Sequence, residues 1–238
     1  MNQVWFVGAG PGDPDLITVK GDRLIRNADL LIYAGSLVNP ELVQRSPAPD
    51  KYDSNGMSLE EMTPLMIQAV RDGKRVVRLH SGDPALYGAI VEQMELLRAA
   101  GIPVEVVPGV SSLFGAAAAL GSQLTLRGVS ESVIITRPAG KTLETDNIAE
   151  YSRNGETMAV FLGSDRLGEV MEKVSHPPGT PAVVIYHATW PDQQIIRGTV
   201  ETIAEKARQA GITRSALLLI GEVFGEELPG HIRSELYS

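Results

Sequence analysis

The chain has 238 residues, of which 43% are hydrophobic and 21% charged, and its formal net charge is -8. This length can bury a substantial core, in one large domain or two small ones. The acidic balance argues against nucleic acid as a partner, because binding to a phosphate backbone needs a basic face. The sequence contains no cysteine, which excludes disulfides and thiolate metal sites.

Hydropathy points to a soluble protein. No apolar run approaches the roughly 20 residues of a membrane span, and an apolar strand begins at Val4 with no basic leader before it. We therefore expect a cytoplasmic protein with no membrane partner. Basic residues cluster between Arg71 and Arg78, where they could gather an anionic ligand or simply lie in solvent.

The first predicted strand, Val4 to Val7, leads into Gly8-Ala9-Gly10-Pro11-Gly12-Asp13-Pro14-Asp15. This loop is similar to a dinucleotide-binding loop, but Asp13 stands where that pattern needs its third glycine. Pro11 and Pro14 fix φ and remove two N–H donors, so the loop has little capacity to cradle a pyrophosphate. The pattern favours a stiff wall of a ligand crevice over a nicotinamide-dinucleotide site.

Helix and strand patterns alternate through the first half of the chain. Apolar periodicity predicts helices at 16–28, 58–71, 89–100 and 113–120, and strands at 30–33, 76–79 and 103–107. Ser58 and Glu61 have the spacing of a capping box. The polar stretch 45–57 is predicted to be a loop. This alternation indicates an α/β fold with a parallel sheet.

A second set of elements begins after Gly121. Strands are predicted at 132–136, 157–162, 181–186, 194–200 and 216–220, with helices at 143–153, 166–174 and 200–210. The short spacing between Tyr186 and Gln194 predicts a hairpin, and therefore a mixed sheet. We predict two α/β lobes: an N-terminal lobe, 1–115, and a C-terminal mixed-sheet lobe, 116–238.

The stretch from Arg75 to Gly88 organises the first lobe. A buried strand ends there in Ser81-Gly82-Asp83-Pro84, and ligands of parallel α/β sheets bind at the carboxyl ends of strands. Taken alone, this loop is equally typical of a plain strand-to-helix connection. Asp83 can also form an Asx-turn before Pro84. Tyr87 could orient a substrate or serve as a wall residue.

Three segments together resemble the signature of the tetrapyrrole (corrin/porphyrin) methylase family. They are Gly8 to Thr18, Ser81-Gly82-Asp83-Pro84 and Pro108-Gly109-Val110-Ser111-Ser112. Two further segments, Tyr33-Ala34-Gly35-Ser36-Leu37-Val38 and Ala188-Thr189-Trp190-Pro191-Asp192, are similar to members that methylate carbon-11 of precorrin-4 or cobalt-precorrin-4.

The resemblance implies the tetrapyrrole methylase fold, with the active site in a cleft between the lobes. It also implies transfer of a methyl group from S-adenosyl-L-methionine, which leaves S-adenosyl-L-homocysteine, in cobalamin and porphyrin biosynthesis. The partner is then an anionic tetrapyrrole, and the chain is expected to form a homodimer. Matched residue by residue, the implied cofactor contacts are Pro11, Ser81, Gly82, Asp83, Ser111, Ser112, Leu162 and Ala188.

The implied chemistry needs few side chains, because a sulfonium methyl is already a strong electrophile and orientation alone promotes its transfer. We assign no catalytic residue beyond a possible orienting role for Tyr87, and no metal site, because the four histidines lack ligand spacing. Five basic residues near predicted strand ends are candidates to hold substrate carboxylates: Arg78, His80, Arg137, Lys141 and Arg197.

Other functions stay open at this point. The chain could methylate a different tetrapyrrole, such as uroporphyrinogen III, or another corrin position. It could also be a cofactor-binding module without catalytic activity. A nicotinamide-linked dehydrogenase is disfavoured by Asp13 and the two prolines.

Overall fold

The computed structural model describes residues 3–140, 143–228 and 230–235. Contacts between Cα atoms divide the chain into two compact units, Met1–Phe114 and Gly115–Ser238. Each unit has one five-stranded sheet with helices packed against it, so both are α/β. None of the helices in these ranges has the length and apolar character that crossing a membrane requires.

The first unit is an alternation of strands and helices that form one parallel sheet. Its elements are β1 (Val4–Gly8), α1 (Val19–Ile25), β2 (Leu30–Tyr33), α2 (Pro40–Arg45), β3 (Asp50–Asp53), α3 (Leu59–Arg71), β4 (Val76–His80), α4 (Val91–Ala99) and β5 (Val104–Val107). The strand order is β3-β2-β4-β1-β5, and every pairing is parallel. The predicted central strand, β4, therefore lies in the middle of the sheet.

Helices cover both faces of this sheet. Phe6 and Ile32 point to the face that α3 and α4 cover, whereas Val7 and Leu31 point to the face that α1 and α2 cover. Successive strand residues point to opposite faces, so a strand covered on both sides reads as a continuous apolar run. This is why the sequence pattern identifies β1, β2 and β4 so directly.

Side-chain caps set the starts of α1 and α3. The capping box is confirmed: Ser58 Oγ accepts from the Glu61 N–H at 3.2 Å, and the Glu61 carboxylate accepts from the Ser58 N–H at 2.7 Å. The predicted start of α1 at residue 16 is wrong. The Thr18 side chain accepts from the Gly21 N–H at 3.1 Å and begins the helix at Val19, after a short 3-10 turn at Pro14–Leu16.

The prediction of a loop at 45–57 is also wrong, because this stretch contains β3. This strand pairs with β2 in parallel, Asp50 beside Leu30 and Asp53 beside Tyr33. It is an edge strand with mostly exposed side chains, so its polar sequence lacks the apolar signal of a buried strand. The preceding helix, α2, was not predicted; the Asn39 side chain caps it by accepting from the Glu41 N–H at 2.9 Å.

The second unit has a mixed sheet, as predicted. A helix, α5 (Ser112–Leu120), contains the boundary, and the later elements are β6 (Val133–Thr136), α6 (Ile148–Tyr151), β7 (Thr157–Val160), α7 (Leu167–Lys173), β8 (Pro181–Tyr186), β9 (Gln194–Thr199), α8 (Ile203–Gln209) and β10 (Ala216–Ile220). The strand order is β6-β7-β10-β8-β9, and only β6 and β7 pair in parallel. The predicted hairpin joins β8 to β9, with Tyr186 opposite Gln194.

Strand direction decides which loops of this sheet share an edge. Strands β7 and β8 both run antiparallel to β10, and β6 runs parallel to β7. The carboxyl ends of β6, β7 and β8 therefore lie at one edge. The helix predicted to begin at 143 begins only at Ile148, because Asp146 accepts from the Ile148 N–H and a bridge between Gly140 and Leu143 holds the preceding residues.

Candidate functional site

Three glycines bring the strand ends of the first sheet into backbone contact. Gly8 ends β1, Gly82 follows β4, and Gly109 follows β5. A Cβ atom on Gly109 would lie 2.2 Å from the Gly82 carbonyl oxygen, and one on Gly8 would lie 2.5 Å from the Gly109 Cα. No side chain fits at Gly8 or Gly109, so the three loops meet through their main chains.

Hydrogen bonds join the first two of these loops. The Gly82 N–H donates to the Gly10 carbonyl at 2.8 Å, the Gly10 N–H donates to the Gly82 carbonyl at 3.2 Å, and the Ala9 N–H donates to the His80 carbonyl at 2.7 Å. Gly10 and Gly82 have φ values of 83° and 58°, which glycine adopts without steric cost. Pro11, a predicted cofactor contact, is buried beside this junction in the chain.

Asp83 fixes the third loop. Its Oδ2 accepts from the Gly109 N–H at 2.9 Å, and its Oδ1 accepts from the Ala85 N–H at 2.8 Å. The second bond is the Asx-turn that the sequence indicates before Pro84. Asp83 thus links the loop after β4 to the loop after β5. A carboxylate oxygen can accept more than one hydrogen bond, so contact between Asp83 and a ligand stays a prediction.

Ser111 and Ser112 lie against Gly82. A Cβ atom on Gly82 would sit 3.6 Å from both the Ser111 Cα and the Ser112 nitrogen. The Ser111 side chain is buried and accepts from the Leu113 N–H at 3.3 Å, which caps α5 as the sequence predicts. The structure therefore brings together five predicted positions of the first unit: Ser81, Gly82, Asp83, Ser111 and Ser112.

Tyr87 lies further along the loop after β4 and is 40% exposed. Its φ is 55°, in the left-handed region that bulky residues rarely adopt, and Ala89 nearby has φ 47°. Glycine is required at position 88 between them, since a Cβ atom there would lie 2.3 Å from the Pro84 carbonyl oxygen. These close contacts restrict the backbone of the loop. The orienting role of Tyr87 stays a prediction.

Arg78 and His80 do not have the exposure that the sequence analysis expected of carboxylate-binding residues. Each is only 5% exposed, on the central strand β4. The Arg78 guanidinium donates to the Gln93 side chain and the Leu79 carbonyl, both at 3.3 Å, and the His80 ring stacks on Phe6 with centroids 5.9 Å apart. The prediction that they hold substrate carboxylates is not supported by these positions.

Burial also dominates the electrostatics of this pair. Desolvation lowers the pKa of Arg78 to about 10, opposed by the charge of Asp53. Desolvation, followed by the charge of Arg78, lowers the pKa of His80 to about 3. His80 is therefore neutral at physiological pH. Its Nε2 is buried and has no hydrogen-bond partner in the described part of the chain.

A small cavity opens at the edge of the second sheet where β6 and β7 end. Its volume is about 260 Å³, and its lining residues are Arg137, Pro138, Ala139, Gly140, Leu162, Asp165 and Arg166. Leu162 is 59% exposed and has φ 54°, so its apolar side chain is presented to solvent from a strained backbone. The structure thus brings together two predicted residues, Arg137 and Leu162. Lys141, also predicted, lies outside the described residues.

Arg166 is a lining residue that the sequence analysis does not identify. Its Nη1 donates to the Ala139 carbonyl at 2.9 Å, and its Nη2 pairs with the Asp165 carboxylate at 3.1 Å. It therefore joins the loop after β6 to the loop after β7. An adjacent Asp-Arg pair is common on protein surfaces, so no sequence signal singles it out.

The other two predicted residues of the second unit lie apart from this cavity. Ala188 follows β8 at the same sheet edge and is buried, but it does not line the cavity. Arg197 lies within β9, and its guanidinium donates to the Phe224 carbonyl at 3.5 Å. Phe224 follows the carboxyl end of β10, at the opposite edge of the sheet. The structure therefore does not group Arg197 with the other candidates.

The two sheets define an α/β protein whose first sheet carries glycine- and proline-rich loops at its strand ends. The described residues contain no group of three His, Cys, Asp or Glu side chains placed to hold a metal ion. A model of the tetrapyrrole (corrin/porphyrin) methylases matches residues 3–204. The chain belongs to this family.

Similar proteins narrow the comparison. A cobalt-precorrin-4 C(11)-methyltransferase from Methanocaldococcus jannaschii is 47% identical over 241 residues, covering 99% of this chain and 92% of the relative. The X-ray structure of the cobalt-precorrin-4 methyltransferase CbiF is 44% identical, with a TM-score of 0.89, covering 94% of this chain and 96% of the other. A uroporphyrin-III C-methyltransferase from Thermus thermophilus, in complex with S-adenosyl homocysteine, is 30% identical with a TM-score of 0.79, covering 93% and 98%.

The first unit fits the donor that this family uses. S-adenosylmethionine consists of an amino-acid part, a ribose and an adenine. Polar backbone groups suit the amino-acid part and the ribose, and an apolar face suits the adenine. At Gly8 and Gly109 the absence of a Cβ atom lets the loops after β1, β4 and β5 meet, which places the Asp83 carboxylate and the Ser111 and Ser112 segment around Gly82. In the second unit, exposed Leu162 beside a cavity offers an apolar face.

Proposed function

We propose that this protein is an S-adenosylmethionine-dependent C-methyltransferase that methylates carbon-11 of precorrin-4, or of its cobalt-containing form, in cobalamin biosynthesis. The observation that carries the proposal is the close match to cobalt-precorrin-4 methyltransferases along nearly the whole chain. The glycine junction at the strand ends of the first unit supports it, because it brings the family motif residues Gly82, Asp83 and Ser111 together.

The donor supplies an electrophilic methyl group on a positively charged sulfur. The proposed donor contacts are Pro11, Ser81, Gly82, Asp83, Ser111, Ser112, Leu162 and Ala188. Asp83 contributes in two ways: its hydrogen bonds hold the loops after β4 and β5 together, and its remaining lone pairs suit an ammonium or hydroxyl group. Orientation of this kind can contribute about 7–11 kcal/mol to a transfer step, which is why no acid–base residue is required.

Substrate carboxylates need cationic partners, and the structure reduces the set of candidates. Arg137 lines the cavity beside Leu162. Arg78 and His80 are buried and Arg197 is at the opposite edge, so we retain Arg137 and Lys141 as the proposed carboxylate-binding residues. Replacement of Arg137 by Ala is expected to raise KM for the tetrapyrrole and to leave donor affinity unchanged.

Isothermal calorimetry with S-adenosylhomocysteine tests the donor site, and Asp83→Ala tests its construction. We expect the wild-type protein to bind, and Asp83→Ala to bind at least about tenfold more weakly, because a hydrogen bond to a charged group contributes about 1.5–3 kcal/mol. Asp83→Asn keeps one acceptor oxygen and is expected to fall between the two. Absence of binding by the wild-type protein would contradict the proposed function.

Product analysis separates the remaining alternatives. Incubation with S-adenosylmethionine and either precorrin-4, cobalt-precorrin-4 or uroporphyrinogen III is expected to give a methylated product only with the first two. Methylation of uroporphyrinogen III would place the chain with other members of the family, and binding without any turnover would indicate a cofactor-binding module. Homodimerisation and a cytoplasmic location stay predictions, and analytical ultracentrifugation measures the first.

A further inference from the structure

The segment that follows β8 is built around a histidine that the proposed chemistry does not use. The imidazole of His187 stacks against two aromatic rings, with centroid distances of 3.8 Å to Tyr186 and 5.0 Å to Trp190. The interplanar angles are 15° and 27°, so both contacts are stacked. These contacts restrict rotation of the imidazole out of its plane.

A hydrogen bond to Asp192 further restricts the His187 ring. The Nδ1 atom of His187 lies 3.0 Å from both carboxylate oxygens of Asp192. An ionised carboxylate only accepts hydrogen bonds, so Nδ1 carries the proton and donates it to this bond. Ring plane and tautomer are therefore both set by side chains of one short segment.

The backbone of this segment is strained. His187 has φ 46° and Thr189 has φ 70°, both in the left-handed region, where a β-branched residue such as threonine is especially unfavourable. Each such residue costs on the order of 1–3 kcal/mol and persists only where surrounding bonds enforce it. Here the Thr189 N–H donates to the Gln193 side chain at 2.7 Å, and the Trp190 N–H donates to the His187 carbonyl at 3.0 Å.

Ala188 lies between the two strained residues, and it is the residue proposed to contact the methyl donor. Ala188 is buried as a whole residue, and a methyl side chain has no polar group, so any polar contact that it makes with a ligand is through its main chain. The orientation of that main chain depends on φ at His187 and Thr189. The backbone of His187 is held by the bond from its N–H to the Ser215 carbonyl at 3.2 Å, and its ring is held by the clamp, the bond to Asp192.

We propose that His187, held by Asp192, is a positioning residue for the methyl donor, acting through the backbone of Ala188. This inference rests on the proposed function, since it assumes that Ala188 contacts S-adenosylmethionine. The role is to keep the loop in its binding conformation before the donor arrives, so that binding does not have to offset the strain. His187 itself takes no part in methyl transfer.

Four variants test the proposal by calorimetry with S-adenosylhomocysteine and by steady-state kinetics. Asp192→Ala removes the clamp, and His187→Phe keeps the aromatic stack but removes the Nδ1–H donor. Both are expected to raise Kd for the product and KM for the donor about tenfold, the factor that corresponds to ~1.4 kcal/mol of strain. The kcat at saturating donor and the KM for the tetrapyrrole are expected to stay at their wild-type values.

Asp192→Asn is the conservative rescue, because its carbonyl oxygen can still accept from Nδ1, and we expect Kd within about twofold of wild type. His231→Ala, which removes an exposed histidine outside this segment, is the matched control and is expected to leave Kd unchanged. Thermal unfolding of each variant verifies the fold; Asp192 is 60% exposed, so its removal should leave the unfolding midpoint unchanged.

The outcomes separate this inference from the proposed function. If the wild-type protein binds S-adenosylhomocysteine and both Asp192→Ala and His187→Phe bind it equally well, the positioning role is wrong while the proposed function stands. A fall in kcat with unchanged Kd would also overturn it, because that result assigns His187 to the chemical step. No binding by the wild-type protein would instead overturn the proposed function.

Discussion

The two sheets prepare their strand ends in different ways. In the first unit, Gly8 and Gly109 have no side chain, so that three main chains touch. In the second unit, Leu162 and His187 keep their side chains and hold left-handed backbone instead. Glycine achieves close approach without strain, whereas a residue with a side chain needs neighbouring bonds to hold the same kind of conformation. The comparison indicates that the first edge depends on shape and the second on specific side-chain interactions.

Adding one methyl group to the glycine junction should have the largest effect. In Gly109→Ala the new Cβ atom would meet the Gly82 carbonyl oxygen at 2.2 Å, and backbone cannot move aside as a flexible side chain can. We expect the free energy of unfolding, measured by urea titration, to fall by about 3 kcal/mol, with loss of S-adenosylhomocysteine binding.

The matched control for this variant is Gly168→Ala in α7, where a Cβ atom meets nothing within 4 Å. There alanine should stabilise the protein by about 0.5–1 kcal/mol, because it is the better helix former. Equal stability of Gly109→Ala and the wild type would show that the first edge does not depend on main-chain contact.

A pH titration should test the burial of His80 at the first edge. His80 is buried beside Arg78, and desolvation lowers its pKa to about 3. An unfolded chain protonates this imidazole near its ordinary pKa of ~6.5. The stability due to neutral His80 is therefore fully present above pH 6.5 and is lost as the pH falls from there toward 3, by about 1.4 kcal/mol per pH unit.

The variant His80→Gln isolates this contribution. Between pH 6 and pH 4 its free energy of unfolding should fall less steeply than that of the wild type. Burial also lowers the pKa of His176, but that histidine is present in both proteins and cancels in the difference. Identical slopes for the two proteins would show that His80 is protonated in the folded state.

The smallest effect on stability is expected at Leu162. Replacement by glycine relieves a φ of 54° and removes a side chain that is 59% exposed, so strain relief and the greater freedom of the unfolded chain nearly cancel. We expect the unfolding free energy to change by less than about 1 kcal/mol. Calorimetry should nevertheless show weaker binding of S-adenosylhomocysteine. Unchanged binding would remove Leu162 from the donor site.

Elements buried on both faces were predictable. Strands β1 and β2 are nearly continuous apolar runs, β4 has three apolar residues among five, and the capping box at Ser58 marks the start of α3. The edge strand β3 was missed because exposed polar residues pair with β2 through their main chains, and periodicity does not detect a main-chain pairing. The start of α6 was placed too early because the bond to Asp146 and the bridge at Gly140 depend on folded contacts.

The candidate site also has a part that the sequence predicts and a part that it does not. The motifs that resemble the family contain Gly82, Asp83 and Ser111, and the sequence identifies them because glycine, proline and small polar residues at strand ends are a local pattern. The carboxylate-binding candidates were chosen by residue type alone. The structure buries Arg78 and His80 and places Arg197 at the far edge, which no local pattern reveals.

By itself, the sequence determined that the chain forms two α/β units, because apolar periodicity and turn residues are local properties, and its loop motifs resemble those of the tetrapyrrole methylases. Only the tertiary structure decided that Asp83 ties two loops together, that Arg166 lines the second edge and that His187 is clamped by Asp192. The bond from Asp83 to Gly109 and the contacts of Arg166 with Ala139 join residues that lie 26 and 27 positions apart in the chain. The short-range clamp of Asp192 on His187 depends on a left-handed backbone that residue type alone does not predict.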